Sequence, residues 1–365
     1  MVERERCSRT APHRTAPHRT APHRTAPHRA ELHATAPAPH RHRPSARPVL
    51  GESTVSKHLI VGAGPVGTAA ARLLAERGEE VTVVTRSGRT AEPLTGVRHL
   101  RLDAADADAL GAAAAGAAVL YNCANPAYHR WATDWPPLAA SLLRAAESSG
   151  AVLATVGNLY GYGAVDGPMT EDTPLAPNSV KGGVRARMWQ DAEALHRAGR
   201  IRATEVRGSD YVGPGAESVL GERVVPRVLA GRGVQVLGDP DTAHSWTYTR
   251  DAARLLVAVG SDERAWGRPW HVPSNPPRSQ REAVADLARA AGLPPVPVSR
   301  IPGPVLALLG LVNPTVRALR ETSYQMERPF VMDSTAAERT FGLAPTPWPE
   351  VLTAVVEAHR GSRPA

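Results

Sequence analysis

Cysteine is almost missing from this 365-residue chain, which holds only Cys7 and Cys123. One lies near the start and the other in an apolar stretch. That excludes a disulfide framework and fits a reducing compartment such as the cytoplasm. Long hydrophobic runs are missing too, so no segment reads as membrane-spanning. The most apolar stretch, Val305–Val312, stops at Asn313-Pro314 and reads as a core helix or the wall of a pocket. The N-terminus lacks the apolar region of a secretory signal. Basic charge is scarce where it would matter. The formal net charge is +8, but residues 1–54 hold ten Arg and four Glu and so carry +6 of it. The rest is near neutral and gives no electrostatic case for nucleic acid.

Residues 10–29 repeat TAPHR four times. Proline at every fifth position removes backbone donors and forbids a helix, so residues 1–54 read as a disordered, low-complexity tail. Its spaced His and Arg are weighed as a metal or polyanion site, below the plainer reading of solvated charge. A start of translation near Val55 is the alternative.

The informative stretch is His58–Gly88, HLIVGAGPVGTAAARLLAERGEEVTVVTRSG. An apolar strand (Leu59–Val61) enters a turn carrying Gly62, Gly64 and Gly67. An Ala-rich helix runs to Gly78, and a second strand follows at Val81–Val84. Glycines at this spacing between a strand and a helix point to a dinucleotide site. The first permits the tight turn, the second lets a pyrophosphate approach the backbone, and the third lets the helix pack close. The helix N-terminus offers unpaired N–H groups and a positive dipole to phosphate.

The alternation continues through strands at Val97–Leu102, Val119–Ala124, Ala151–Val156 and Ile201–Val206. Helices fall at Ala104–Gly116, Pro136–Ser149 and Val184–Ala198. This predicts an α/β, Rossmann-type, doubly wound parallel sheet with helices on both faces. Residues 55–210 form the nucleotide-binding domain. From Gly208 onward Pro, Gly and short strands dominate, followed by a helix at Gln280–Ala291. Residues 211–365 therefore read as a smaller substrate-binding region, partly interleaved with the first and unable to build a parallel sheet of its own.

Several landmarks follow in order: Asp103 after the third strand, Cys123-Ala124-Asn125 after the fourth, LYGYG at 159–163, RGSDYVGPG at 207–215, and WTYTRDAARLL at 246–256. RPFVMDSTAAERTFGLAPTPWPEVL comes near the end. With the glycine turn, these resemble the extended short-chain dehydrogenase/reductases of the NAD-dependent epimerase/dehydratase type, over roughly residues 57–357. The first position of the usual GxxGxxG turn is Val61 here. The resemblance implies that Gly62, Ala63, Gly64, Pro65, Val66 and Gly67 hold the pyrophosphate. Asp103 and Ala104 would face adenine, and Cys123, Ala124 and Asn125 would pass under the nicotinamide ribose. It also implies a homodimer, the usual arrangement among such relatives. The second strand ends in Thr85 and Arg86 rather than a carboxylate, and a guanidinium can pair with a 2′-phosphate. NADP(H) is therefore favoured over NAD(H), and no metal is expected.

Family catalysis uses a Tyr four residues before a Lys, which lowers the phenol pKa for proton exchange. This chain has two lysines, Lys57 and Lys181, and neither has a Tyr four residues upstream. The resemblance sets the missing Tyr at Gly183 and the Lys at Arg187, the latter a ribose-binding candidate. The remaining proton-transfer candidates are Tyr160, Tyr162 and Thr155, with Asn158 and Lys181 nearby. The place of an Arg that holds the diphosphate of nucleotide-sugar substrates falls near His244, which weakens that substrate class. Trp189, Trp246, Tyr248 and the 305–312 segment suggest either an apolar pocket or core packing. The expected activity is hydride transfer on a small carbonyl, alcohol or sugar-derived molecule. The alternative is a catalytically silent NADP(H)-binding sensor or scaffold.

Overall fold

The computed structural model describes residues 55–90, 94–218, 220–221 and 223–361. The expected tail and its repeats lie outside the described residues. The first half runs β1 (Lys57–Val61), α1 (Pro65–Glu76), β2 (Glu80–Thr85), β3 (Val97–Arg101), α2 (Ala107–Ala114), β4 (Val119–Asn122), α3 (Trp131–Ser149), β5 (Val152–Asn158), α4 (Val180–Arg197) and β6 (Arg202–Gly208). The second half runs β7 (Asp210–Val212), α5 (Val225–Leu229), β8 (Val234–Val236), β9 (Trp246–Tyr248), α6 (Thr249–Ser261), β10 (Pro269–His271), α7 (Gln280–Ala290), β11 (Val298–Arg300), α8 (Gly303–Val312), α9 (Pro314–Arg320), α10 (Thr335–Phe341) and α11 (Trp348–Gly361).

Seven strands form one parallel sheet in the order β3-β2-β1-β4-β5-β6-β10. The central strands are short apolar runs buried on both faces, as a covered parallel sheet requires. Gly67, Ala70, Ala71 and Leu74 form the buried stripe of α1, at helical spacing. They pack with Ala252, Leu255 and Leu256 of α6 against one face of the sheet. The other face is covered by Leu110 of α2, Trp135 and Leu142 of α3 and Ala192 of α4. Strand order reverses between β1 and β4, which opens a crevice above their C-terminal ends.

The second half departs from expectation. It does contain parallel pairing, in two short pairs, β7 with β9 and β8 with β11. It also lends β10 to the main sheet beside β6. Strands of three residues are too short to show a period, so the sequence pattern hid them. Trp246 and Tyr248 lie in a second core with Val284 and Leu287 of α7 and Val351 and Leu352 of α11. The 305–312 segment is neither core nor pocket wall. It is the surface helix α8, in which Gly310 is the sole buried residue and Leu308 and Leu311 are 67% and 75% exposed.

Two helices start earlier than expected. α3 begins at Trp131 and carries Pro136 and Pro137 inside it, held by the buried Trp131 and Trp135. α4 begins at Val180, where the Ser179 hydroxyl caps the Gly182 N–H. Among the described residues, no helix is long and apolar enough to cross a membrane.

Candidate active site

The glycine turn has the geometry its chemistry needs. Gly62 sits at φ +99°, and a Cβ there would lie 2.6 Å from the Cys123 carbonyl oxygen. A Cβ on Gly67 would lie 2.1 Å from the Gly62 carbonyl, so α1 can pack this close to the turn only with glycine there. Gly64 is the N-cap of α1. It has no side chain to satisfy the first N–H groups, and no acidic residue occupies the first turn. Those N–H groups and the helix dipole are left for an anion.

A cleft of about 710 Å³ opens from this turn along the crest of the sheet. Gly62, Ala63, Gly64, Pro65, Val66, Thr85, Arg86, Asp103, Ala104, Cys123, Ala124 and Asn125 all line it. Two other residues named from the sequence do not. Gly67 acts through packing behind the turn. Arg187 is 75% exposed on the outer face of α4, where it pairs with Asp191. Asp103 turns its carboxylate onto the Ala105 N–H at 3.0 Å, which shapes the loop after β3. Burial pushes the Cys123 thiol up to about 12, so it is a packing group rather than a nucleophile.

The far half of the cleft is walled by Tyr128, Trp131, Asn158, Tyr160, Arg185, Asp210, Gln325 and Phe330. Tyr128 donates to the Tyr160 hydroxyl at 3.4 Å and lies 2.8 Å from the Thr322 hydroxyl. Gln325 approaches Tyr160 at 3.5 Å. Burial holds the Tyr160 phenol well above its ordinary value, so it keeps its proton and acts as a neutral hydrogen-bonding group.

Tyr162 and Thr155, the other catalytic candidates, do not reach the cleft. Tyr162 is buried behind β5. His271 Nδ1 faces the Asp333 carbonyl at 2.8 Å and must carry the hydrogen. Its Nε2 therefore accepts from the Tyr162 hydroxyl at 2.8 Å, while Arg207 donates to Tyr162 at 2.8 Å. Glu205 neutralises Arg207 at 2.8 Å. This is a closed structural network. Thr155 borders a small void of about 20 Å³ beneath α3 and α4, together with Trp189. A strand alternates faces, so Thr155 and the cleft-lining Val156 point opposite ways.

Sequence reasoning missed Arg185. Its guanidinium lies between the rings of Trp131 and Trp135, 4.5 Å and 4.3 Å from their centroids, and donates to the Val156 carbonyl at 3.2 Å. The α4 face toward the cleft thus carries Lys181 and Arg185, two positions before the Gly183 and Arg187 inferred from the resemblance. Lys181 is itself withdrawn into a 2.7 Å ion pair with Glu321. Asp210 and Gln325 were missed as well. Asp210 stands in the RGSDYVGPG segment, and no spacing marks Gln325.

The sequence matches the NAD dependent epimerase/dehydratase family over residues 58–271. The chain belongs to that family. It matches no curated protein. Among solved structures it resembles the UDP-glucose 4-epimerase of Thermotoga maritima in complex with UDP-glucose, at 18% identity and a TM-score of 0.71, covering 84% of this chain and 99% of that one. It also resembles the dTDP-glucose 4,6-dehydratase of Bacillus anthracis in complex with NAD, at 17% identity and a TM-score of 0.69, covering 84% and 97%. A third is a double mutant of the Streptomyces venezuelae dTDP-glucose 4,6-dehydratase with NAD bound, at 20% identity and a TM-score of 0.63, again covering 84% and 97%. At these identities the likeness is one of fold. This family member keeps the glycine turn and has no Tyr–Lys pair on α4.

Proposed function

We propose that the protein is a nicotinamide-dinucleotide-dependent oxidoreductase with a non-standard proton-transfer site, acting on a small carbonyl, alcohol or sugar-derived substrate. One observation carries this reading. The uncapped α1 N-terminus opens into the same cleft as a wall of polar side chains, among which α4 contributes no Tyr–Lys pair. The residues present fit the coenzyme. Gly62 and Gly67 let the turn pack against Cys123 and α1 pack against the turn more closely than a Cβ would allow, and the first N–H groups of α1, uncapped after Gly64, are available to a pyrophosphate. A bound nicotinamide supplies or takes up hydride.

The protein's own residues do the rest. Arg86, with no carboxylate ending β2, favours a 2′-phosphate and hence NADP(H) over NAD(H). Trp131 and Arg185 close the cleft wall and exclude water beside the reacting carbon. Tyr160, with Tyr128 and Gln325 behind it, offers a neutral hydrogen bond to the substrate oxygen. The substrate class is weighted toward small molecules without a diphosphate, because His244 is a buried ring where a phosphate-binding cation would be needed. Pairing into a homodimer is part of this reading, and sedimentation would check it.

Calorimetry on the full chain with NADPH, NADP⁺, NADH and NAD⁺ tests the coenzyme. Arg86→Ala should weaken NADPH by roughly tenfold or more and leave NADH unchanged, since a charge-assisted bond is worth about 1.5–3 kcal/mol. Coenzyme oxidation is then followed against a panel of aldehydes, ketones and sugar derivatives. Tight binding with no turnover across the panel would return the silent-binder reading.

A further inference from the structure

We infer that Asp210, held by His244, is the acid–base residue of this cleft and takes the proton-transfer part that no Tyr–Lys pair performs. The inference rests on the oxidoreductase reading above. It is carried by the arrangement of two side chains that meet although 34 residues separate them in the chain.

Asp210 begins β7 just beyond the C-terminal end of β6 and lines the cleft with Tyr160, Gln325 and Asn158. Its side chain is 14% exposed, enough to face a ligand, while that of His244 behind it is 2% exposed. The imidazole is fixed on every side. It stacks on Phe330 with ring centroids 5.5 Å apart and planes 20° apart, and it packs on Trp246 at 4.9 Å. The His244 backbone exchanges hydrogen bonds with Arg278, at 3.2 and 2.9 Å. The β7–β9 pairing, which sets Asp210 opposite Trp246, fixes the distance between the two side chains.

His244 Nδ1 faces the Gln325 backbone carbonyl at 3.2 Å, and a carbonyl can only accept, so Nδ1 carries a hydrogen. Nε2 lies 2.8 Å from Asp210 Oδ2 and 3.4 Å from the Ser209 hydroxyl. In a neutral ring Nε2 would then be a lone pair with only the long Ser209 contact to donate to it, set 2.8 Å from a carboxylate oxygen that has no other donor. Two acceptors at 2.8 Å repel. The contact requires one further proton, on Nε2 or on Oδ2. Among the described residues, His244 is the only base within ion-pair distance of Asp210. The groups facing the pair from the neighbouring elements are the neutral Tyr128 and Tyr160 hydroxyls and the amide of Gln325.

The chemistry balances. In the reducing direction the substrate carbonyl carbon gains a hydride with the nicotinamide coenzyme as reductant, and the C=O π pair moves onto oxygen. That oxygen takes the proton from Asp210. The pair is left one proton short and is refilled from solvent through the cleft. The products are an alcohol and oxidised coenzyme. In reverse, Asp210 takes the hydroxyl proton and His244 Nε2 shares the load. Asp210 is the catalytic residue and His244 the positioning residue.

The test uses the full chain. Asp210→Asn keeps shape and lets the new amide donate to Nε2, but removes the transferable proton. The expected result is a kcat lowered by roughly 10²–10⁴-fold, the usual range for general acid–base catalysis, with coenzyme Kd unchanged by calorimetry. A kcat within threefold of wild type overturns the proposal. ¹⁵N-histidine NMR of the ligand-free protein gives a readout that needs no turnover, with His244 assigned by the signal lost in His244→Gln. Protonation at Nδ1, with Nε2 either protonated or strongly hydrogen-bonded, supports the proposal. A neutral ring bearing hydrogen on Nε2 alone overturns it. Wild-type protein that binds coenzyme yet turns over no substrate would sink the oxidoreductase reading instead, and the histidine spectrum still decides whether the pair holds its extra proton.

Discussion

Lys181 and Arg185 stand one helical turn apart on α4, yet only Arg185 reaches the cleft. The Lys181 ammonium is 2.7 Å from one oxygen of Glu321 and lies over the Tyr128 ring at 4.7 Å. The other Glu321 oxygen accepts the Lys181 backbone N–H at 2.6 Å. One carboxylate therefore binds both the side chain and the first turn of α4, tying the segment after α9 to the helix. That makes Lys181 a fastening rather than a catalyst. Lys181→Met should lower stability by about 1–3 kcal/mol in chemical denaturation, less than a fully buried pair would lose, because Glu321 remains partly solvated. Residual activity of the folded variant should stay within about twofold. A large fall in kcat at unchanged stability would put Lys181 in the chemistry.

The same helix shows where sequence reading succeeded and where it stopped. The glycine turn and the β1–α1–β2 unit were legible because each depends on local rules. A buried strand must be apolar, and a turn against a neighbouring backbone must be glycine. The start of α4 was not legible. Gly182-Gly183 is a poor helix former and reads as a break. Gly182 is nevertheless required, since a Cβ there would lie 2.5 Å from the Tyr160 carbonyl. The sequence pattern places the helix start at Val184 rather than Val180, and the resemblance sets the catalytic positions at Gly183 and Arg187, two beyond Lys181 and Arg185, so Arg185 goes unnoticed. Gln325 and the His244–Asp210 contact could not be seen either, because nothing local in the chain records which distant segments meet.

The glycine turn gives a prediction with an internal control. Gly67→Ala would drive a Cβ into the Gly62 carbonyl, whereas a Cβ on Gly64 meets nothing within 4 Å. Gly67→Ala should lose folding stability and coenzyme affinity together. Gly64→Ala should keep its denaturation midpoint and lose affinity alone, because its methyl would occupy the space where a pyrophosphate meets the helix N–H groups. Thermal melts with and without NADPH separate the two effects. If Gly64→Ala binds coenzyme as the wild type does, the pyrophosphate lies elsewhere.

His271 makes stability depend on pH. Burial lowers its pKa from 6.5 to about 4, with the positive charge of Arg207 adding to the fall and the Asp333 carbonyl partly opposing it. The folded value is below the unfolded one, so between these values the unfolded chain binds more protons and stability rises with pH. The contribution is constant above about pH 6.5 and is lost on acidification toward pH 4, by up to about 3 kcal/mol. His58, also lowered chiefly by burial, adds a slope of the same sign. Denaturation midpoints measured from pH 7.5 to 4.5 should fall progressively, and His271→Gln should flatten part of that fall. An unchanged slope in the variant would show that other groups set it.

Helix α8 shows how hydrophobicity alone misplaces a segment. Leu308 and Leu311 are largely exposed, while Leu256 in α6 is 0% exposed in the main core. Stability follows burial rather than residue type. Leu256→Ala should cost about 2–5 kcal/mol through lost transfer energy and the cavity left behind. Leu308→Ser and Leu311→Ser should each fall within about 0.5 kcal/mol of wild type, as substitutions on a free surface do. Chemical denaturation at low protein concentration measures all three. A loss above about 2 kcal/mol in the Leu308→Ser/Leu311→Ser double variant would mean that this face is covered in solution. Recovery of wild-type behaviour on dilution would then identify the cover as a second copy of the chain.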